Sequence, residues 1–198
     1  LLIDIHHKFA DDFMKFMDFY LLRQDIKFVT DTKYFVYFYD EKQNDDGIWA
    51  YDKRSEHMGY RVYKDKKING ANNNLNDYHL KRLKCKIPDG FYDMETEKSI
   101  ILEYGMQNHI GWEKGCYIGQ ELMAKTRYRG NISKGLFLCK AKNDNIIEKG
   151  MIITDSSGVK IGKVCSVYDN NYLLSLLKKD QKDGKVKIDN KIDLEILC

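Results

Sequence analysis

Cys116 stands between two glycines in the run Lys114-Gly115-Cys116-Tyr117-Ile118-Gly119-Gln120-Glu121. A thiolate is both a nucleophile and a ligand for soft metals. Flanking glycines permit a tight turn and a close approach of a ligand to the backbone. The residues that follow read as a helix over 118–127, which places Cys116 near a helix start. Unpaired amides there favour negative charge and lower the pKa of a neighbouring thiol. Lys114, Lys125, Arg127 and Arg129 add positive charge nearby in the sequence. The plainer reading of the same pattern is a buried, inert cysteine in a glycine turn.

The other candidates for chemistry are sparser. Cys85, Cys139, Cys165 and Cys198 are widely spaced, with no CxxC or CxxxC pair. That pattern excludes a self-contained zinc or four-cysteine cluster site. An odd count without framework spacing also speaks against a secreted disulfide fold, and for a reducing compartment. His6-His7, His57, His79 and His109 show no ligand spacing, although His109 lies close enough before Cys116 to approach it in space. A Cys–His pair there would serve as cluster ligands or as an activated thiol. There is no phosphate-binding glycine loop and no serine-hydrolase elbow. Gln120 and Glu121 have two readings: they orient the cysteine turn, or they cap the helix that follows.

The elements that must position these groups are legible in outline. The chain has 198 residues, 43% of them hydrophobic, and a formal charge of +3. That suits one domain, or one domain with a small appendage. Charges of both signs are mixed, so no concentrated basic face for nucleic acid is expected. The apolar runs are far shorter than the roughly 20 residues of a membrane span. Leu1-Leu2-Ile3-Asp4-Ile5 reads as the middle of a strand, and further residues are expected upstream. Strands are expected at 2–7, 25–30, 33–39, 48–51 and 59–63. Phe9, Phe13, Phe16, Met17, Tyr20 and Leu21 recur at helical spacing over 9–22 and predict a core-facing stripe. A second helix is expected at 76–84, with Asn76 as its cap. From Lys134 onward, short apolar stretches at 135–140, 150–154, 159–168, 171–177 and 185–197 alternate with turn signals. They predict a small antiparallel β-barrel. The division falls near residue 140: a first domain over 1–140 that carries the cysteine motif, and a barrel over 141–198.

The run Lys114–Glu121 resembles the K-G-C-[FY]-x-G-Q-E signature of the YgfZ-type folate-binding proteins, in the superfamily of the glycine-cleavage T-protein. Leu122-Met123-Ala124-Lys125-Thr126-Arg127-Tyr128-Arg129-Gly130 is similar to that family's L-T-A-R-T-x-x-R-G continuation. Ile87-Pro88-Asp89-Gly90 resembles G-I-P-E-G, and Ile101-Leu102-Glu103 resembles P-L-E. Tyr20-Leu21-Leu22-Arg23 resembles Y-x-L-R. Asp52-Lys53-Arg54 with Met58-Gly59-Tyr60-Arg61 resembles D-P-R followed by L-G-[YW]-R. The matches fall in family order over most of residues 1–140. Lys53, Ile101 and Lys125 replace a proline, a proline and an arginine of the pattern, and the N-terminal part of the family's first domain has no counterpart here.

The resemblance implies an α+β fold: an antiparallel, ferredoxin-like folate-binding unit, N-terminally incomplete, followed by a small C-terminal β-barrel. It implies an assembly factor for [4Fe–4S] proteins in the mitochondrial matrix, with plastid or bacterial cytoplasm as alternatives. Cys116 would be the key residue, as a reactive thiolate or as a ligand to a [2Fe–2S] or [4Fe–4S] cluster shared with a partner. Glu103 would face the pterin of tetrahydrofolate. Gly115, Gly119 and Gln120 would shape the site. Arg54, Arg61 and Arg129 have two readings, pairing with folate carboxylates or with acids inside the fold. Implied partners are A-type iron–sulfur carriers and client [4Fe–4S] proteins, with no nucleic acid and no membrane, and the chain alone would be a monomer. The alternative function is a tetrahydrofolate-dependent aminomethyltransferase or other one-carbon enzyme. A third reading is a structural domain with an inert cysteine.

Overall fold

The structure, a computed structural model, describes residues 2–21, 24–30, 34–72, 74–95, 98–128, 130, 132–142, 146–168, 171–180 and 186–197. The first helix, α1, spans His7–Tyr20. His6 is extended and caps it, its ring Nδ1 accepting from the Lys8 N–H at 3.3 Å. The same imidazole stacks on Phe91, with centroids 3.9 Å apart. This capping role removes His6 from the strand expected at 2–7, and residues 2–6 form none. Asp4 is instead turned toward Arg61 and the Tyr63 hydroxyl. Residues 24–30 also lack strand structure, with Ile26 and Val29 exposed. Short apolar runs become strands only where a neighbour completes the ladder. The stripe on α1 is not core: none of its residues is fully buried, and Phe16 and Tyr20 are about half exposed.

Three strands follow, β1 Phe35–Tyr39, β2 Ile48–Tyr51 and β3 Tyr60–Lys64. They form an antiparallel sheet in the order β1-β3-β2. The central Val62 is fully buried, facing Tyr37 on one side and Trp49 on the other. The turn before β2 is held by Asp45, whose carboxylate accepts from the Gly47 N–H at 3.0 Å and from the Trp49 indole at 2.7 Å. The second helix, α2, spans Leu75–Lys84. Its cap is Asn74, two residues before the expected Asn76. Asn74 keeps a non-helical backbone, and its side chain accepts from the Asn76 N–H at 3.0 Å. The third helix, α3, spans Gln120–Tyr128. Among the described residues no helix is long and apolar enough to cross a membrane.

The C-terminal strands are β4 Lys134–Ala141, β5 Ile152–Thr154, β6 Lys160–Tyr168, β7 Tyr172–Lys178, β8 Val186–Ile188 and β9 Ile192–Ile196. They close into a barrel in the order β4-β7-β6-β5-β8-β9, completed by the β4–β9 pairing. Cys139, Ile153, Leu173, Leu177 and Ile188 fill its interior. The α+β architecture, an antiparallel sheet unit followed by a small barrel, is the one expected.

The two parts share a polar hub. The side chains of Arg82, on α2, and Asp93 are each 0% exposed and form an ion pair at 2.5 Å. Arg82 also donates to the Ile87 carbonyl at 2.8 Å and to the Tyr168 hydroxyl on β6 at 2.5 Å. Asp93 accepts from the Asp89 N–H at 2.6 Å and from the Ser166 hydroxyl. Burying the pair is tolerable because nearly every charged atom finds a partner. Around it, Leu83, Tyr104, Leu138, Cys165 and Leu174 form a continuous apolar cluster.

His79 of α2 stacks on Tyr168 in this hub, with centroids 5.0 Å apart. Burial lowers its pKa from 6.5, and the neighbouring Arg82 lowers it further, against smaller opposing effects of Asp89 and Asp93. A histidine kept neutral by the fold binds fewer protons than it does unfolded. Its contribution to stability is therefore complete above pH 6.5 and declines as pH falls toward the lowered value. Urea unfolding on either side of pH 6.5 should show this slope, and His79→Asn should flatten it. An unchanged slope in the variant would place the titrating group elsewhere.

Candidate functional site

The cysteine turn joins the 3-10 turn Gln107–His109 to α3. Cys116 is exposed, whereas Cys139 and Cys165 are buried and Cys85 is half-buried. Burial first, and then Asp93, push the Cys165 thiol up to about 11, which makes it inert. Cys116 is thus the most accessible thiol among the described cysteines, and the buried-cysteine reading of it is wrong. Gly119 adopts the left-handed region at φ +84, where side chains are strained. This conformation lets the chain reverse into α3, and the Met123 N–H then bonds the Gly119 carbonyl at 3.1 Å. Gly115 is exposed, with nothing near the position of a Cβ, so the backbone beside the thiol stays open. Gln120 holds the turn from within, its side-chain oxygen accepting from the Tyr117 N–H at 3.4 Å. Glu121 pairs instead with Lys125 one turn along the helix, at 2.5 Å. A hollow of about 490 Å³ lies beside the turn, lined by Tyr117, Gly119, Gln120, Glu121, Leu122 and Lys125.

Glu103 sits in the 3-10 turn Ile101–Tyr104, against which α3 packs. The fold thereby brings the Glu103 turn and the helix behind Cys116 together. Lys134 at the start of β4 lies 3.8 Å from the Glu103 carboxylate, an ion pair too long for a hydrogen bond. The carboxylate keeps acceptor capacity for a donor pair such as an amino group and a ring N–H.

Arg54 and Arg61 lie elsewhere, Arg61 on the central strand β3 and Arg54 in the turn after β2. Arg54 forks onto Asp52, Nε to Oδ1 at 2.9 Å and Nη2 to Oδ2 at 2.6 Å. Burial alone would raise the Asp52 carboxyl, but the hydrogen bonds from Arg54 outweigh it and hold its pKa below the ordinary value. Arg61 pairs with Asp4 and lies over the Phe38 ring. The Tyr78 hydroxyl joins the two guanidiniums, at 3.1 Å from Arg54 and 3.4 Å from Arg61. Tyr78 also lines a cleft of about 680 Å³ between β1 and α2, walled by Tyr37, Phe38 and Met58. Among the described residues no hydrogen bond or ion pair links Glu103 to either arginine. Arg129 lies outside the described residues. His109 is exposed in its own 3-10 turn. Among the described residues no group of three or more His, Cys, Asp or Glu side chains is placed to hold a metal ion.

No protein-family model matches the chain. The mitochondrial iron–sulfur cluster assembly factor IBA57 of Mus musculus is 33% identical over 148 residues, covering 69% of this chain and 41% of that protein. The Homo sapiens protein of the same name is 31% identical over 147 residues, with the same coverage. This chain is similar to both of these IBA57 proteins over that stretch. A mitochondrial IBA57 homologue of Dictyostelium discoideum is 28% identical over 162 residues, covering 69% of this chain and 40% of that protein. The chain thus spans about two fifths of the length of these IBA57 proteins. The aminomethyltransferase T of the glycine cleavage system from Bartonella henselae is 18% identical, with a TM-score of 0.33, covering 39% of this chain and 24% of that one.

Some residues that shape the site escape a reading of motifs. Asp52 stands in the Asp52-Lys53-Arg54 motif, and at that spacing an acid and an arginine can meet across a turn. Tyr78 and Asp4 carry no such signal, because only the fold brings them to the arginines.

Proposed function

We propose that this chain acts as an iron–sulfur cluster assembly factor of mitochondria, supporting maturation of [4Fe–4S] proteins. The observation that carries the reading is an exposed Cys116, held on a glycine turn in a chain similar to the mitochondrial IBA57 assembly factors. A cluster needs several thiolate ligands. Cys116 would supply one of them, and a partner the others, so the cluster is cargo held between two proteins. A-type iron–sulfur carriers with clusters of the [2Fe–2S] type, and client [4Fe–4S] proteins, are the partners of this proposal.

Folate belongs to the same proposal. Glu103 would accept from the pterin ring, with Gly115, Gly119 and Gln120 shaping the adjoining turn. Arg54, Arg61 and Arg129 are the proposed carboxylate contacts, although Arg54 and Arg61 would have to leave Asp52 and Asp4 to serve. The proposed division into units over 1–140 and 141–198 puts Cys116 and Glu103 in the first unit, although β4, Lys134–Ala141, is itself a strand of the barrel.

The test is anaerobic mixing of the chain with an A-type carrier loaded with a [2Fe–2S] cluster, followed by its visible absorption and circular dichroism. The wild type is expected to form a mixed complex, and Cys116→Ser to lose it. A complex that persists in Cys116→Ser would refute the ligand role.

A further inference from the structure

We infer that Arg127 and Trp112 are positioning residues for Cys116, stacked so that the cysteine turn is held in one geometry. The inference rests on the reading of Cys116 as a ligand shared with a partner.

The turn has little order of its own. Residues 113–116 are all exposed, and two glycines flank the cysteine with open space around each. Such a segment has many conformations to lose when a partner fixes the sulfur. The structure restrains it from both ends. At the start, the half-buried Trp112 donates its indole N–H to the Gln107 carbonyl at 3.2 Å. Arg127, from the last turn of α3, lies over that indole with its guanidinium carbon 4.1 Å from the ring centroid. This contact ties the beginning of the turn to the helix that follows it. At the other end, Tyr117 is held by Gln120, and the Lys114 ammonium sits 4.4 Å from the Tyr117 ring centroid.

Arginine suits the position, because a planar guanidinium stacks where an ammonium cannot. Among the described residues no acidic side chain pairs with Arg127, so its contacts are the rings of Trp112 and, at 5.6 Å, Tyr128. A ligand presented in one geometry binds more tightly because less disorder is lost on binding.

The test compares Arg127→Ala, Arg127→Lys, Trp112→Ala and Trp112→Phe with wild type and Cys116→Ser. Backbone order parameters over 113–119 are measured on the free chain by NMR relaxation, and the affinity of the mixed complex is measured with an A-type carrier loaded with [2Fe–2S]. The melting temperature serves as a fold control. Arg127→Ala and Trp112→Ala should lower the order parameters of the turn and bind about threefold to fivefold more weakly, and Arg127→Lys, whose ammonium keeps a cation–π contact but cannot stack, should fall between them and wild type. Trp112→Phe, which keeps a ring under the guanidinium, should restore most of both. Unchanged order parameters in Arg127→Ala and Trp112→Ala overturn the restraint, whatever the cluster does. Lower order with unchanged affinity, where Cys116→Ser abolishes the complex, overturns the positioning role and leaves the ligand reading standing. A complex that survives Cys116→Ser removes the ligand reading and this inference with it.

Discussion

An Asp93→Ala variant should lose about 3–5 kcal/mol of unfolding free energy, enough to unfold a large fraction of the chain at ambient temperature. Asp93 is fully buried and receives three donors: Arg82, the Asp89 amide and the Ser166 hydroxyl. Truncation would leave a guanidinium in the interior without its counter-charge, and the cost comes mostly from that orphaned ion. The double variant Arg82→Met with Asp93→Leu should therefore lose much less than Asp93→Ala alone, since no buried charge remains. Urea unfolding of the three chains measures the comparison. Equal losses in the single and double variants would mean that packing, and not charge, holds the hub.

Gly59→Ala should cost about 3 kcal/mol, from strain and from a clash acting together. Gly59 lies at φ 72 and ψ −130, a region that residues with a side chain avoid. A Cβ there would sit 2.2 Å from the Tyr39 carbonyl oxygen and 2.9 Å from the Asp40 Cα. Both are backbone atoms at the end of β1, which pairs with β3 through Tyr39 and Tyr60. Relief would require the strands to part next to Arg61. Gly119 provides the control, because it shares a positive φ but has open space around it. Gly119→Ala should cost about 1 kcal/mol, from backbone strain alone. Thermal or urea unfolding of the two variants would test the ranking, and a Gly119→Ala loss as large as that of Gly59→Ala would refute it.

How much of this was legible beforehand depended on whether a signal was local. The barrel strands are legible in the sequence, since short apolar runs punctuated by turn signals such as Asp155-Ser156-Ser157-Gly158 have few other solutions. The Cys116 turn was legible for the same reason, because glycines fix its backbone freedom within a few residues. The strands expected at 2–7 and 25–30 failed because a strand needs a neighbour, and the periodicity of one segment says nothing about its partner. The stripe on α1 had the correct period, but period alone cannot show that a surface exists to cover it. Arg82, Asp93, Ser166 and Tyr168 are scattered across the chain, and only the packed fold makes them one network. The pairing of Trp112 with Arg127 was hidden in the same way, since a loop must fold back along a helix before the guanidinium and the indole can meet.

The closure of the barrel carries a consequence for how the chain acquires its structure. The seam joins β4 to β9, so Cys139 waits for Ile196. Pairing so distant in sequence pays its loop-closure entropy before any reward arrives, which makes it a late event. β6 and β7, joined by a short connection, can form their hairpin first. During synthesis, then, β4 can pair with β7 but its other edge stays open until β9 has left the ribosome. In that interval the apolar interior faces solvent along an unpaired strand, the condition under which nascent chains recruit chaperones or find one another.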